Sequence, residues 1–305
     1  MCAGGTSSPR HAALSGQPAR SAQVWLLPRE AAALAFVGRN TATTNELGIF
    51  TIRIVTPGSY YALASLHEDE RMLVGRVPIE IGSNDLENLN IAVAPGMDLT
   101  GKVTVDGPGE VKLDRLRVIL RPRDTVPFFG GGVGPVKADG SFLVQNVLED
   151  TYSVSVDGLS EDYYLKSVRV GADEALERGL QILRGQPPSG LEVKVSAAGA
   201  RAEGLVFGED NLPTTAIVAL VPTGERRKLP HLFKNANTDE LGRFVIRGIA
   251  PGEYKIFAFE EVEGAALEDP EFLKAIEDKG VSVRLTEAAV QSVELKRIPA
   301  SPAKQ

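Results

Sequence analysis

One sequence phrase occurs three times along this chain of 305 residues. Each copy has a turn glycine, a Phe two positions later, and a Tyr ten positions after that Phe. The Phe and Tyr positions are 50 and 60, 142 and 152, and 244 and 254. Because the copies lie about 100 residues apart, they are too widely spaced for a solenoid repeat and fit a string of complete small domains.

The repeated phrase predicts two turns and an inward aromatic pair in each copy. Glycine accepts positive φ in the turn before the Phe, and Pro-Gly favours a second turn before the Tyr. A Tyr in this place is typical of a tyrosine corner, in which the ring is buried and the hydroxyl bonds nearby backbone. The second copy has Glu149-Asp150 in place of Pro-Gly, so we expect a looser corner there. The residues of this structural motif are Gly48, Phe50, Gly58, Tyr60, Gly140, Phe142, Tyr152, Gly242, Phe244, Gly252 and Tyr254.

A second strand is shared by the copies and lies upstream of the phrase. Val and Leu recur in it at alternate positions, while the residues between them vary, so period-two geometry places the uniform set on the core face. A further alternating strand closes each copy. The uniform core residues are Val24, Leu26, Val118, Leu120, Val218 and Leu220.

These patterns predict an all-β chain of three tandem β-sandwich domains, at residues 1–95, 96–198 and 199–299, with a C-terminal tail at 300–305. Short glycine-bearing joints separate the domains, so we expect little freedom between them. The opening strand of the first domain should lie near residues 8–14, which contain no β-branched residue. Either this strand is degenerate or it belongs to a segment upstream.

One helix is predicted near residues 270–279. Asp269 is a suitable N-cap, Pro270 suits the first turn, and Gly280 would end the helix. Phe272 and Ile276 are spaced to share one face, which we expect to pack on the third sandwich.

Residues 48–60 and 242–254 carry the pattern Gly-x-Phe-x-Ile followed by Pro-Gly-x-Tyr, which resembles the carboxypeptidase regulatory-like domain. The resemblance covers residues 20–299 and is weakest in the second copy. It implies a transthyretin-like or immunoglobulin-like sandwich in each domain. Tandem copies with Asp-Pro-Glu-Phe-Leu near the end, here 269–273, resemble envelope or secreted proteins of bacteria. The resemblance therefore implies an extracellular, periplasmic or cell-envelope location and a role in binding or spacing.

Composition excludes some classes of partner. The net charge is −7 and the basic residues are scattered, whereas nucleic-acid binding needs a concentrated positive surface. Cys2 is the only cysteine, so no intramolecular disulfide is expected. No run of 18 apolar residues is present to span a membrane, and residues 1–30 contain no stretch of signal-peptide type. We expect a monomer.

No set of residues has the spacing of an active site or a metal site. The three histidines, His11, His67 and His231, lie in separate segments, so we predict no metal and no cofactor. The glycine-rich run 130–134 is followed by Pro135 rather than by the Lys-Ser/Thr and helix of a phosphate loop, and a flexible hairpin loop is predicted. We therefore predict that the protein is not an enzyme.

Four aromatics on the variable faces are the candidates for a ligand surface: Trp25, Tyr61, Phe257 and Phe259. Sugar rings stack on exposed aromatic planes, so these residues favour a non-catalytic binding protein whose partner is carbohydrate or another envelope protein. The alternative is that the same rings pack against neighbouring structure. In that case a purely structural spacer or a protein–protein adhesion module is favoured. A third hypothesis, an accessory part of a hydrolase, would need a catalytic pair contributed by loops.

Overall fold

A computed structural model describes residues 10–14, 17–29, 40–68, 71–108, 111–123, 131–183, 185, 190–262, 266–267 and 269–300. The chain is all-β, with three tandem β-sandwich units and one short helix in its described part. The predicted fold class is therefore confirmed.

The first unit opens with a strand where the sequence predicts one, although that strand contains no β-branched residue. The strand order in its sheet is β2-β1-β8-β7-β6-β3-β4, with β5 paired to β1. The strands are β1 (Arg10–Leu14), β2 (Gln17–Pro18), β3 (Gln23–Pro28), β4 (Thr41–Thr43), β5 (Ile49–Phe50), β6 (Gly58–Glu68), β7 (Arg71–Ile81) and β8 (Asn90–Pro95).

The second unit is a sandwich of two sheets, ordered β11-β10-β13-β16 and β12-β9-β17-β14-β15. Residues 132–134 of the glycine-rich run lie in strand β11 and not in a loop, and a Cβ at 132 would lie 2.3 Å from the Val144 side chain. The strands are β9 (Met97–Asp106), β10 (Arg117–Pro122), β11 (Gly132–Pro135), β12 (Ser141–Val147), β13 (Asp150–Asp157), β14 (Tyr164–Val170), β15 (Asp173–Glu174), β16 (Leu180–Ile182) and β17 (Leu191–Ser196).

The third unit has the strand order β20-β19-β22-β24-β18-β21, with β23 paired to β22. Helix α1 (Pro270–Ala275) lies between β22 and β23, and Asp269 caps it by accepting a hydrogen bond from the Glu271 amide at 2.9 Å, as predicted. The strands are β18 (Ala200–Phe207), β19 (Ile217–Pro222), β20 (Lys234–Asn237), β21 (Arg243–Ile249), β22 (Gly252–Phe259), β23 (Val281–Leu285) and β24 (Val290–Ile298).

The first and last long strands of each unit pair in parallel, as β1 with β8, β9 with β17, and β18 with β24. Because the two strands of each pair run in the same direction, the chain enters a unit at one end of the sandwich and leaves it at the other. Each unit has its own hydrophobic core, and the six predicted uniform Val and Leu residues are all at most 4% exposed. The alternating pattern therefore selected the core face correctly.

The repeated Phe and Tyr rings are buried in all three cores. Each Tyr hydroxyl donates a hydrogen bond to the carbonyl four residues upstream, from Tyr60 to Thr56 at 2.8 Å, Tyr152 to Leu148 at 3.0 Å and Tyr254 to Ala250 at 2.8 Å. The predicted tyrosine corners are therefore confirmed. The second corner is not looser, because the Tyr152 ring is 0% exposed.

The turn glycine before each Phe has the positive φ that the sequence predicts, at 70° for Gly48, 84° for Gly140 and 73° for Gly242. A second left-handed residue follows four positions after each Phe. Its φ is 59° at Ile54, 57° at Asn146 and 60° at Gly248. Gly and Asn tolerate this conformation, whereas a β-branched residue does not. The β-branched Ile54 adopts this conformation nevertheless, and its side chain is fully exposed.

Truncating the inward Phe of the third unit should show how much the repeated phrase contributes to stability. Phe244→Ala is expected to lower the free energy of unfolding by about 3–5 kcal/mol, because a buried aromatic is removed from a packed core. The neighbouring Val245, which is 43% exposed, provides the control, and Val245→Ala should cost less than about 0.5 kcal/mol. Urea unfolding measures both, and a loss below about 1 kcal/mol for Phe244→Ala would contradict this core assignment.

Candidate functional site: the junctions between units

The first junction is a single residue long, because β8 ends at Pro95 and β9 begins at Met97. A Cβ at Gly96 would lie 2.4 Å from the carbonyl carbon of Asn146, the left-handed residue of the second unit. Only glycine allows so close an approach. The glycine at the joint therefore packs directly against strand β12 of the second unit.

Apolar side chains of both units pack together at this junction. Leu27, Leu63 and Val74 on the outer face of the first unit are buried, and Leu148 of the second unit packs against them. Leu148 is also the residue whose carbonyl accepts the hydrogen bond of the Tyr152 corner. The corner thus positions a contact residue of the junction.

An ion pair crosses the same junction. Arg76 Nη1 lies 2.7 Å from Asp150 Oδ2, and the Asp150 side chain is only 9% exposed. Asp150 occupies the place of the glycine in the other Pro-Gly turns, so the departure of the second copy from the repeat supplies a carboxylate to the junction. Breaking a pair in which one partner is this buried leaves an uncompensated charge.

A cleft of about 720 Å³ lies beside this ion pair. Tyr61 lines it, and the guanidinium carbons of Arg29 and Arg76 each lie 4.8 Å from the centre of its ring. Thr151 and Gln181 of the second unit contribute polar groups to the same cleft. The cleft therefore combines an aromatic ring, two cations and hydrogen-bonding side chains.

The second junction is built on the same plan. Gly199 lies in the three-residue link between β17 and β18, and a Cβ there would lie 2.6 Å from the Cα of Gly248, the left-handed residue of the third unit. The Gly199 amide donates a hydrogen bond to the Asp162 carbonyl at 3.2 Å. Arg247 of the third unit forms an ion pair with the same Asp162 at 3.2 Å.

Tyr164 of the second unit is buried within the core cluster of the third unit. Its hydroxyl donates a hydrogen bond to Glu287 at 2.5 Å. Lys166 Nζ lies 2.7 Å from Glu287 and 2.7 Å from Asp106, so one ammonium joins a carboxylate of each unit. The hydrogen bond from Lys166 holds the pKa of Asp106 and of Glu287 below their usual ranges. Burial, helped by the bond to Glu287, raises the pKa of Tyr164 to about 12.

Corresponding positions of two strands carry both junctions. Val74 pairs with Ala94, and Tyr164 pairs with Ser196. Val74 and Tyr164 are the residues that the first and second units pack against the unit that follows. Two residues further along, Arg76 and Lys166 supply the cation that crosses to the next unit. The junctions therefore repeat an arrangement of an apolar residue followed by a cation.

His231 lies in the second junction, in a 3₁₀ turn (Pro230–Leu232) of the third unit. Burial is the main cause that lowers the pKa of His231 to about 4, and the nearby charges of Arg226 and Arg123 act in the same direction. The imidazole is therefore neutral at physiological pH. Nothing in the sequence pattern around His231 predicted this burial, because its neighbours across the junction come from a different unit.

Two of the predicted ligand aromatics are covered in the structure. Phe257 and Phe259 are 0% and 2% exposed, and they pack against Leu273 and Ile276 in a cluster beneath helix α1. The predicted position of the helix on the third sandwich is thus confirmed by Ile276, and the same contact removes both Phe rings from solvent.

The other two predicted ligand aromatics lie at the first junction. Trp25 and Tyr61 are both half-buried and pack at the edge of the cluster formed with Leu148. Tyr61 lines the cleft described above, whereas Trp25 is not among the lining residues of that cleft. The structure therefore brings one of the four predicted residues, Tyr61, to a cleft that is open to solvent.

Among the described residues, no group of three or more His, Cys, Asp or Glu side chains is placed to hold a metal ion. Within the same part of the chain, no helix is both long and apolar enough to cross a membrane.

No family model matches the chain, and no curated protein matches it in sequence. Solved structures align with it at low similarity. A streptococcal ancillary pilin is 13% identical with a TM-score of 0.27, over 96% of this chain and 99% of that one. The Bacillus anthracis TIE protein is 11% identical with a TM-score of 0.26, over 94% and 49%. The full-length major pilin RrgB of Streptococcus pneumoniae is 10% identical with a TM-score of 0.22, over 91% and 63%. TM-scores this low establish neither a common domain arrangement nor a function.

The partial burial of neutral His231 makes stability depend on pH. Because the folded pKa is about 4 and the ordinary value is 6.5, stability is fully present above pH 6.5 and is lost as the pH falls towards 4, by up to about 3 kcal/mol. Asp106 and Glu287 lose their contribution only at lower pH, because their pKa values are lowered from 3.8 and 4.5.

Urea unfolding between pH 7 and pH 4 measures this effect. His231→Leu should remove most of the dependence between pH 6.5 and 5, whereas His67→Leu, at an exposed histidine of the first unit, should leave it unchanged. A wild-type stability that does not change over this range would contradict the assignment.

Proposed function

We propose that this protein is a non-catalytic spacer of the bacterial cell surface, built of three carboxypeptidase regulatory-like domains bounded at 95/96 and 198/199. Its function is to hold its two ends in a fixed relative orientation so that other surface components meet them. The cell-surface location and the family come from the resemblance of the repeated phrase. The spacer role comes from the junctions.

The observation that carries the spacer role is the burial of Tyr164 in the core of the following unit. A flexible string of domains leaves the residues around its linkers exposed. Here both links are short, and at each one an apolar contact and an ion pair cross from one unit to the next. Such junctions support a fixed geometry between neighbouring units.

The aromatic residues also favour a spacer over a dedicated carbohydrate-binding surface. Phe257 and Phe259 are covered by helix α1, and Trp25 packs at the first junction. The two Phe rings are therefore removed from solvent, and the Trp25 ring contributes to packing. Of the three hypotheses drawn from the sequence, we therefore propose the second, a structural spacer.

Distance measurement between spin labels tests the spacer role. Leu47→Cys and Leu241→Cys place labels at equivalent exposed turns of the first and third units, 62% and 58% exposed, and Cys2→Ser removes the native thiol. We expect a single narrow distance distribution. Combining Tyr164→Ala with Lys166→Ala should broaden it, because the contacts across the second junction are lost.

Arg169→Ala is the matched control, since Arg169 is exposed on the same strand and bonds within its own turn. This variant should retain the narrow distribution. A broad distance distribution in the labelled protein whose junctions are unaltered would show that the units move freely, and it would refute the spacer role.

A second candidate function is carbohydrate binding at the first junction, which the cleft beside Tyr61 favours. Its aromatic ring and polar lining are of the kind that bind sugars. Pull-down on insoluble polysaccharides and a glycan array test it. Binding that Tyr61→Ala abolishes without unfolding would establish this function, whereas binding that survives both Tyr61→Ala and Trp25→Ala would place the site elsewhere.

A further inference from the structure

Two buried nitrogen atoms at the second junction form no hydrogen bond among the described residues, although one of them, Arg226 Nε, lies 3.3 Å from Glu177 Oε1 in an ion pair. They are Nε of Arg226 and Nε2 of His231. A buried polar atom without a partner costs free energy, so nearly all such atoms in folded proteins are satisfied by protein, water or a ligand. The unbonded imidazole nitrogen, with a guanidinium from the neighbouring turn in the same cleft, indicates that the cleft receives an additional acceptor.

The cleft lies between the second and third units and has a volume of about 320 Å³. Arg226 belongs to a 3₁₀ turn (Gly224–Lys228) and His231 to the next one (Pro230–Leu232), so the third unit supplies one wall. Lys166 and Glu177 of the second unit lie on the opposite wall. Both units must therefore be docked for the cleft to exist.

The charges around His231 come from both units. Arg226 and Arg123 are the two charges that lower its pKa, so they make its surroundings positive. Of the carboxylates that line the cleft, Glu287 accepts bonds from Lys166 and Tyr164, and Glu177 lies 3.3 Å from Arg226 Nε. Glu177 is 61% exposed and is therefore screened by solvent, whereas the charges that act on His231 are those of Arg226 and Arg123.

We propose that this cleft binds a small oxyanion, such as sulfate, phosphate or the carboxylate of a larger ligand, through Arg226 and His231. An oxyanion offers several acceptor oxygens and can take hydrogen bonds from a guanidinium and an imidazole together. Its negative charge would also offset the positive surroundings of His231. Because the two walls belong to different units, the bound anion would strengthen the second junction.

Anion binding and protonation of His231 are coupled in this arrangement. An anion beside the ring favours the imidazolium form, so binding should raise the pKa of His231, and lowering the pH should tighten binding. Between pH 5 and 7 the effect belongs to His231 rather than to Asp106 or Glu287, because the hydrogen bonds from Lys166 hold the pKa values of these two carboxyls below 3.8 and 4.5. Sulfate is the appropriate probe, since its own charge does not change between pH 5 and 8.

Nuclear magnetic resonance of the full chain with labelled histidine side chains tests the proposal at constant ionic strength, with chloride as the reference anion. We expect sulfate to shift the signals of His231 saturably, to leave those of His11 and His67 unchanged, and to bind at least tenfold more tightly at pH 5 than at pH 7. A parallel titration with acetate distinguishes the anion class, since a response to acetate assigns the site to carboxylates as well as to tetrahedral anions.

Two variants make the result specific. Arg226→Lys keeps the charge but removes Nε and should weaken sulfate binding at least tenfold. Lys228→Ala removes an exposed cation of the same turn, 75% exposed, and should change the affinity less than twofold. The proposal is overturned if neither sulfate nor acetate shifts His231, or if Lys228→Ala weakens binding as much as Arg226→Lys. If the spin-label distance distribution is narrow but no anion binds, the anion site is refuted and the spacer role is still supported.

Discussion

A buried tyrosine hydroxyl must find an acceptor, and in this protein that requirement shapes each unit. The hydroxyls of Tyr60, Tyr152 and Tyr254 each bond the carbonyl four residues upstream, which fixes the turn before strands β6, β13 and β22. In the second and third units, this turn is also the segment that meets the preceding unit, through Leu148 and Ala250. In these two units, one hydrogen bond inside the core therefore fixes the turn on which the previous unit docks.

The two junctions share a plan but differ in chemistry. Each places an apolar residue and then a cation on the strand that meets the next unit, as Val74 and Arg76 in one and Tyr164 and Lys166 in the other. The acid that receives the cation comes from a different place in each, since Asp150 begins a strand whereas Glu287 lies in a turn. The second junction also contains a half-buried neutral histidine, which makes it the more sensitive of the two to pH.

The outer faces of the first and third units are both covered by other structure, because both faces are apolar. Both carry apolar residues on the variable as well as the uniform positions, among them Leu27 and Leu63 in the first unit and Val221 and Phe257 in the third. A sheet that is apolar on both faces must be covered on both. The second unit covers part of the first, and helix α1 covers the third. The second unit has Arg121, Ser153 and Ser155 at matching outer positions, and these remain compatible with solvent.

The sequence alone determined the all-β class, the core faces, the tyrosine corners and the capped helix, because each follows from a local pattern of two to ten residues. The recurrence of one phrase about every 100 residues indicated the three units. It also contained a signal for the covered faces, namely Phe257 and Phe259 beside an amphipathic helix, although that pattern read equally well as a ligand surface. Only the tertiary structure decided between the two readings, and only it placed Tyr164 in the next core and His231 beside Arg226. Contacts between units join residues far apart in the chain, and no local periodicity records which distant side chains will face each other.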